Sequence, residues 1–273
     1  MRDTDRQLLG TWVECSSVFN KKEALFLELY QKYGSPAQAL GQSGLQRADS
    51  GYIWQIIDIC ENQGIQIITQ ADSRFPESFY RTVPPILIYA IGDTDILKRT
   101  DSIGIIGSRR PSEYSLGVCR KFAGEIAASG KAVISGFALG IDQCAHSACI
   151  SAGGLTAAVL GSGIGHDYPM GSLGLQRDIA AHGVVISEFP PNTKPVPENF
   201  IRRNRLISAL SQKLLVVEAS SRSGCLNTAS HALDQGSDIF VIPPHRLDSD
   251  RYAGQSELIR DGAYIAFQPS DLL

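Results

Sequence analysis

An alternation that begins at Ile103 and runs to Val241 limits this chain to few architectures. Short, continuously apolar runs at 103–106, 132–135, 156–160, 183–187, 213–218 and 238–241 recur between longer amphipathic stretches. A strand with one face in water alternates apolar and polar residues, whereas a strand apolar at every position has both faces covered. Such strands joined by helices make βαβ units. The expected fold class is therefore α/β, a doubly wound, mostly parallel sheet, with helices at 114–129, 141–152, 172–182, 200–210 and 225–235.

Upstream the pattern differs. Ala24, Leu25, Leu27, Leu29 and Tyr30 form a helical run closed by Gly34-Ser35-Pro36, and 37–40 begins another turn. A helix at 52–63 stops at Gly64, followed by strands at 65–68 and 86–90 around an irregular stretch broken by Pro76, Pro84 and Pro85. The chain reads as a small N-terminal helical domain over 1–48 and one larger domain over 49–273. A length of 273 residues with 43% hydrophobic content suffices for that core.

Net charge is −3, so affinity for a polyanion must come from a local patch. The six cysteines include no C-x-x-C pair and fit no zinc module, so no metal is expected, and they read as reduced thiols of a cytoplasmic protein. The charged start MRDTDRQLLG lacks the apolar region of a secretion signal, and no apolar run approaches the roughly 18 residues of a membrane span.

In open parallel sheets ligands collect beyond the carboxyl ends of the strands. Three loops there place Gly, Ser or Thr at a helix start: Gly107-Ser108-Arg109-Arg110, the segment 135–140, and Ser223-Gly224-Cys225-Leu226-Asn227-Thr228. Unpaired N–H groups and the positive dipole end at such starts favour an anion. Gly107 permits close approach, Ser108 can cap or donate, and Arg109 and Arg110 add forked donors suited to phosphate. Taken alone, GSRR fits two surface arginines on an ordinary connection equally well. The dinucleotide fingerprint G-x-G-x-x-G does not follow the strand at 103–106, so no cofactor is expected. Gly161-Ser162-Gly163-Ile164-Gly165 runs into Asp167-Tyr168-Pro169 and reads as a tight turn, with a direct ligand role as the alternative.

The segment KPVPENFIRRNR brings Lys194, Arg202, Arg203 and Arg205 together with Phe200 and Asn204. Cations with an aromatic among them suit single-stranded nucleic acid, because an unstacked base gains about 1–3 kcal/mol on an aromatic face. Alternatively Phe200 is a core residue and Glu188 and Glu198 neutralise some of the arginines. Asp142 and His146 stand four apart on one helix face, but no nucleophile is marked beside them, so His146 is expected to hydrogen-bond a neighbouring loop and no catalytic residue is assigned. Glu188 and Glu218 end strands and either orient the arginines or act as catalytic carboxylates.

Taken in order, GSRRPSEYS, SGFALGIDQCAH, AAVLGSGIGHDYP, SEFPP, NFIRRNRLISALS, VVEASSRSGCLNTA and SELIRDGA resemble the DNA-processing protein A (DprA, or Smf) family, from about Gln63 onward. The resemblance implies a Rossmann-like, non-catalytic, homodimeric protein that binds single-stranded DNA and helps load a RecA-type recombinase in natural transformation. It passes DNA contact to Arg109, with Arg110 beside it, and to Phe200, Arg203 and Arg205, while Lys194 is added on local charge. The expected DNA-binding set is Gly107, Ser108, Arg109, Arg110, Lys194, Phe200, Arg203, Asn204, Arg205, Gly224 and Thr228. Cys225 stands where the family usually has serine, and Ile242-Pro243-Pro244 replaces a common valine-proline-glycine, which weakens the third loop's assignment. Because the chain stops at Leu273, the winged-helix-like domain of some members is expected to be missing.

Two rivals remain. A lysine-decarboxylase-like (LOG-type) nucleotide phosphoribohydrolase carries P-G-G-x-G-T-x-x-E, and aligning its threonine on Thr228 puts Asn227 at the last glycine and His231 at the catalytic glutamate. A pure protein-binding adaptor would show no salt-sensitive DNA affinity.

Overall fold

The structure, a computed structural model, describes residues 3–273, so the first two residues of the 1–48 unit lie outside it. Four helices lead: α1 (Asp3–Val18), α2 (Glu23–Tyr33), α3 (Pro36–Gln42) and α4 (Ser50–Gln63). The Asp49 carboxylate caps α4 by accepting the Tyr52 N–H at 2.8 Å. Strands β1 (Gln66–Thr69) and β2 (Leu87–Gly92) follow. The alternating region then runs β3 (Ile103–Ile106), α5 (Glu113–Ala128), β4 (Val133–Ser135), α6 (Ile141–Ser151), β5 (Thr156–Leu160), α7 (Leu173–His182), β6 (Gly183–Ser187), α8 (Pro197–Ala209), β7 (Lys213–Val216), α9 (Gly224–Asp234), β8 (Asp238–Val241), α10 (Ala253–Arg260) and β9 (Tyr264–Ile265).

One nine-stranded sheet results, in the order β1-β2-β6-β5-β4-β3-β7-β8-β9. Pairing is parallel from β6 to β9, and β1 and β2 extend the sheet antiparallel. The continuous apolar runs are explained by the two faces. Ile106, Ile134, Val159, Ile186, Leu214 and Val216 point into one core, shared with Leu206 and Ile207 of α8 and Ala229 of α9. Ile105, Val133 and Leu215 point the other way, onto Phe122 and Ile126 of α5 and Ala145 of α6.

The packing does not break at residue 48. Helix α4 shares one apolar cluster with α1, α2 and α3, and that cluster takes in Leu87, Tyr89, Ala158, Leu160 and Val185 of the sheet. Helix α8 starts three residues before the expected 200, because Pro197 fits a first helical turn, where no N–H is missed. Its far end is held by Arg81, whose guanidinium donates to the carbonyls of Ser208, Ala209 and Ser211. Two elements, α10 and β9, were not expected; one is short and polar and the other has two residues, so neither carries a readable period. Among the described residues no helix is long and apolar enough to cross a membrane.

Candidate nucleic-acid interface

Strand order reverses between β3 and β7, so the connections leaving them diverge, and a crevice opens beyond their carboxyl ends. The cleft there has a volume of about 880 Å³. Its walls come from Gly107, Ser108, Arg109 and Arg110 after β3, Ala138 and Asp142 after β4, Phe200, Arg203 and Asn204 on α8, and Ser223, Gly224 and Thr228 at the start of α9. The three loops do converge on one mouth.

The arginine loop is pinned from behind. Ser108 Oγ accepts the Arg110 N–H at 3.1 Å, and the Ser108 carbonyl accepts the Ile141 N–H at 3.1 Å. Gly107 is required by this packing, since a Cβ there would lie 2.8 Å from Ile141 Cγ1. Both arginine heads stay exposed.

The expectation that α5 offers its N-terminus to a phosphate is corrected. Ser112 Oγ caps the Ser115 N–H at 3.2 Å, and the Glu218 carboxylate accepts both the N–H and the hydroxyl of Ser112 at 2.9 Å. Arg251 closes the pair at 3.0 Å. Burial alone would raise the Glu218 carboxyl, but these donors outweigh it and hold it below the usual carboxylate range. Helix α5 therefore already carries an anion of the protein's own, and Glu218 does not serve the basic segment. The start of α9 is freer, because Ser223 makes no capping side-chain bond. Cys225 turns inward, joins the core, and its buried thiol is pushed up to about 11.

The basic segment is corrected more deeply. Arg203 is 3% exposed and donates to the carbonyls of Gly136 and Val159, at the ends of β4 and β5. Arg205 is 8% exposed and pairs with Glu188 at 2.8 Å. Arg202 joins Glu188 at 3.0 Å and Glu23 of α2 at 2.5 Å, tying the helical unit to the sheet. Glu198 pairs instead with Lys21 at 2.8 Å. The cause is helical period: Arg203 shares a stripe with Leu206, Ile207 and Leu210, all of them buried, and that spacing was the signal available in the sequence. Lys194 remains exposed next to Pro195, which lines the cleft, but Lys194 and Arg205 are themselves outside the lining.

Phe200 combines both earlier readings. Its ring packs on Gly161, where a Cβ would come within 2.5 Å of Phe200 Cδ1, and it also borders the cleft. The Arg109 and Arg203 guanidinium carbons each lie 5.7 Å from its centroid. Tyr168, missed as a site residue, lines the same cleft with its ring 5.3 Å from that of Phe200. It sits on the expected turn, where Asp167 accepts the N–H groups of Gly171 and Ser172 at 3.0 Å.

Asp142 and His146 are both buried and bonded within the fold. The Asp142 carboxylate accepts the Ala138 N–H at 3.2 Å. His146 contacts Thr156 Oγ1 at 2.7 Å, on β5 and not on a loop. Since the Thr156 hydroxyl donates to the Val133 carbonyl, the imidazole proton belongs on Nδ1. Burial pushes the Asp142 carboxyl from 3.8 up to about 6, against Arg203 and Arg109. Burial, reinforced by Arg203, pushes His146 from 6.5 down to about 3.

These two shifts act on stability with opposite sign. From pH 3.8 to about 6 the folded carboxyl keeps a proton that the unfolded one has lost, so its contribution falls as pH rises. From about 3 to 6.5 the folded imidazole lacks a proton that the unfolded one holds, so its contribution rises with pH. Urea titrations between about pH 4 and pH 6 are expected to show Asp142→Asn gaining roughly 1.4 kcal/mol per pH unit of slope relative to the unsubstituted protein, and His146→Gln losing as much. Slopes of the reverse sign would refute the assignment.

Asn227 and Thr228 line the cleft and His231 does not, so α9 brings no carboxylate to it; the one at its border is the buried Asp142. Among the described residues no group of three or more His, Cys, Asp or Glu side chains could hold a metal ion.

A family model described as DNA recombination-mediator protein A matches residues 66–273. The DNA processing protein DprA of Bacillus subtilis is 37% identical over 222 residues, covering 80% of this chain and 73% of that protein. Protein Smf of Synechocystis is 34% identical over 224 residues, and there the match spans 81% of this chain but only 56% of the relative. Among solved structures, DprA of Streptococcus pneumoniae superposes with a TM-score of 0.81 at 27% identity, over 96% of this chain and 94% of that one. The Helicobacter pylori protein, described by its single-stranded DNA binding mode, gives 0.69 at 29% identity over 76% of this chain and 93% of that one.

Proposed function

Because the chain belongs to the DNA recombination-mediator protein A family, with curated members called DprA or Smf, we propose that it binds single-stranded DNA in the cleft between β3 and β7 and does no chemistry on it. The observation that carries this is the exposed Arg109 guanidinium set 5.7 Å from the centroid of the Phe200 ring on the cleft wall. One group suits a phosphate oxygen and its neighbour suits an unstacked base. The single-stranded DNA binding described for the Helicobacter pylori relative supports the same guest. Gly107, Ser108, Arg110, Asn204, Gly224 and Thr228 complete the contact surface, Lys194 stands at its approach, and Arg203 and Arg205 hold its frame. The wider role proposed is that of a cytoplasmic homodimer that protects incoming single strands and helps a RecA-type recombinase load on them during natural transformation, with residues 1–48 as a helical unit and 49–273 as the DNA-binding unit. The description of the family as recombination mediators supports this.

Fluorescence anisotropy of matched single-stranded and duplex oligonucleotides across a salt series tests the reading. Affinity should fall with salt, and Arg109→Ala should weaken binding of every sequence while lowering the slope of log K against log salt by about 0.7, the share of one phosphate. Phe200→Ala should remove about 1–3 kcal/mol from single-strand binding and less from duplex. An Arg109→Ala protein that is folded and binds with undiminished affinity would refute the site.

A further inference from the structure

Beyond the cleft, past Arg110, stands an aromatic pair that the binding site has not used. Tyr114, in the first turn of α5, is 45% exposed, and its ring stacks on that of the exposed His245 with centroids 4.2 Å apart and planes 19° from parallel. The pair is held in place and not left to drift. The buried Tyr252 meets His245 near its edge, at 6.4 Å and 76°, and its hydroxyl donates to Ser112 Oγ at 3.2 Å. Arg251 donates to the Arg110 carbonyl at 2.6 Å, so the loop carrying His245 is fastened to the loop carrying the cleft's outer arginine. Tyr114 lies four residues beyond Arg110, and these two side chains and that of His245 are all exposed. Of the carboxylates adjacent in sequence or contact, Glu218 is taken up by Ser112 and Arg251 and Asp248 by Arg246, while Glu113 and Asp250 stay exposed.

We propose that Tyr114 and His245 form a second base platform, which stacks an unpaired nucleobase of the strand that emerges past Arg110. The proposal rests on the single-stranded DNA reading of the cleft. It adds to that reading a dependence on oligonucleotide length.

Fluorescein-labelled oligothymidylates from about 4 to about 16 nucleotides, a range that brackets common single-strand site sizes, separate the two. The Tyr114→Ala/His245→Ala protein should match the unsubstituted protein on the shortest oligonucleotides and bind the longest about tenfold more weakly, the effect of losing one stacked base. Tyr114→Phe should keep the long-oligonucleotide affinity. His245→Ala alone, a change in a loop, should show part of the loss even if the double variant is poorly folded. Unchanged affinity for the longest oligonucleotide would overturn the platform. So would an equal loss at every length, which would mean that the Arg110 loop had been disturbed. An unsubstituted protein that binds no oligonucleotide of any length would overturn the cleft reading, and the platform with it.

Discussion

Arg203→Ala is expected to destabilise the protein by about 3–5 kcal/mol, a large part of the roughly 5–15 kcal/mol that holds a domain folded. The guanidinium is buried, donates to the carbonyls of Gly136 and Val159, and lies beside the buried Asp142. Removing it leaves two strand-end carbonyls without that donor and a carboxylate without its nearest cation. Burial has already pushed Arg203 down to about 10, so it is charged at neutral pH and its loss is the loss of a charge. Arg203→Lys should fall between, because an ammonium cannot reproduce the planar fork that spans two acceptors. Urea midpoints measure this directly, and a loss below about 1 kcal/mol, the ordinary effect of a substitution, would contradict the strut role. Arg109→Ala should leave the midpoint alone, since that side chain is exposed.

Glu188→Ala is expected to cost a similar amount, about 3–5 kcal/mol, for a complementary reason. Its side chain is 1% exposed, accepts from Arg205 and forms an ion pair with Arg202, so truncation takes a buried carboxylate away from two cations. Arg202 retains Glu23, whereas Arg205 is left with the Arg202 carbonyl at 3.5 Å. Pairing Glu188→Leu with Arg205→Met should recover much of the loss, because replacing both members of a buried pair by apolar groups removes the unpaired charge. Denaturant curves of the three proteins provide the check. A double variant no more stable than Glu188→Ala would mean that Arg205 is not the charge left exposed to burial.

The DNA reading depended on a distinction that composition cannot make. Lys194, Arg202, Arg203 and Arg205 look alike in a string of letters, yet among them Lys194 alone is exposed, and three of the four hold carbonyls, a second unit or a carboxylate. The period of the helix marked Arg203 as inward. Glu188 is legible in the sequence as a carboxylate able to neutralise some of these arginines, but nothing local singles out Arg205 among them, because the two are 17 residues apart and meet only when β6 and α8 pack. Tyr168 was equally hidden: its loop read correctly as a turn, but that turn faces Phe200 only after β5 and α8 come together.

The sequence by itself determined the sheet, because an apolar residue at every strand position can be satisfied only by cover on both faces, and that pattern is local. It also determined that the Gly-Ser-Arg-Arg loop would lie at a strand's carboxyl end, where this architecture opens a crevice. Only the tertiary structure decided which cations face the crevice and which brace it, and that the start of α5 holds Glu218 while the start of α9 lies open to the cleft. The physical reason is range. A strand's period is written in neighbouring residues, whereas a buried charge is settled by whichever group the fold carries within about 4 Å of it, and that group can come from anywhere in the chain.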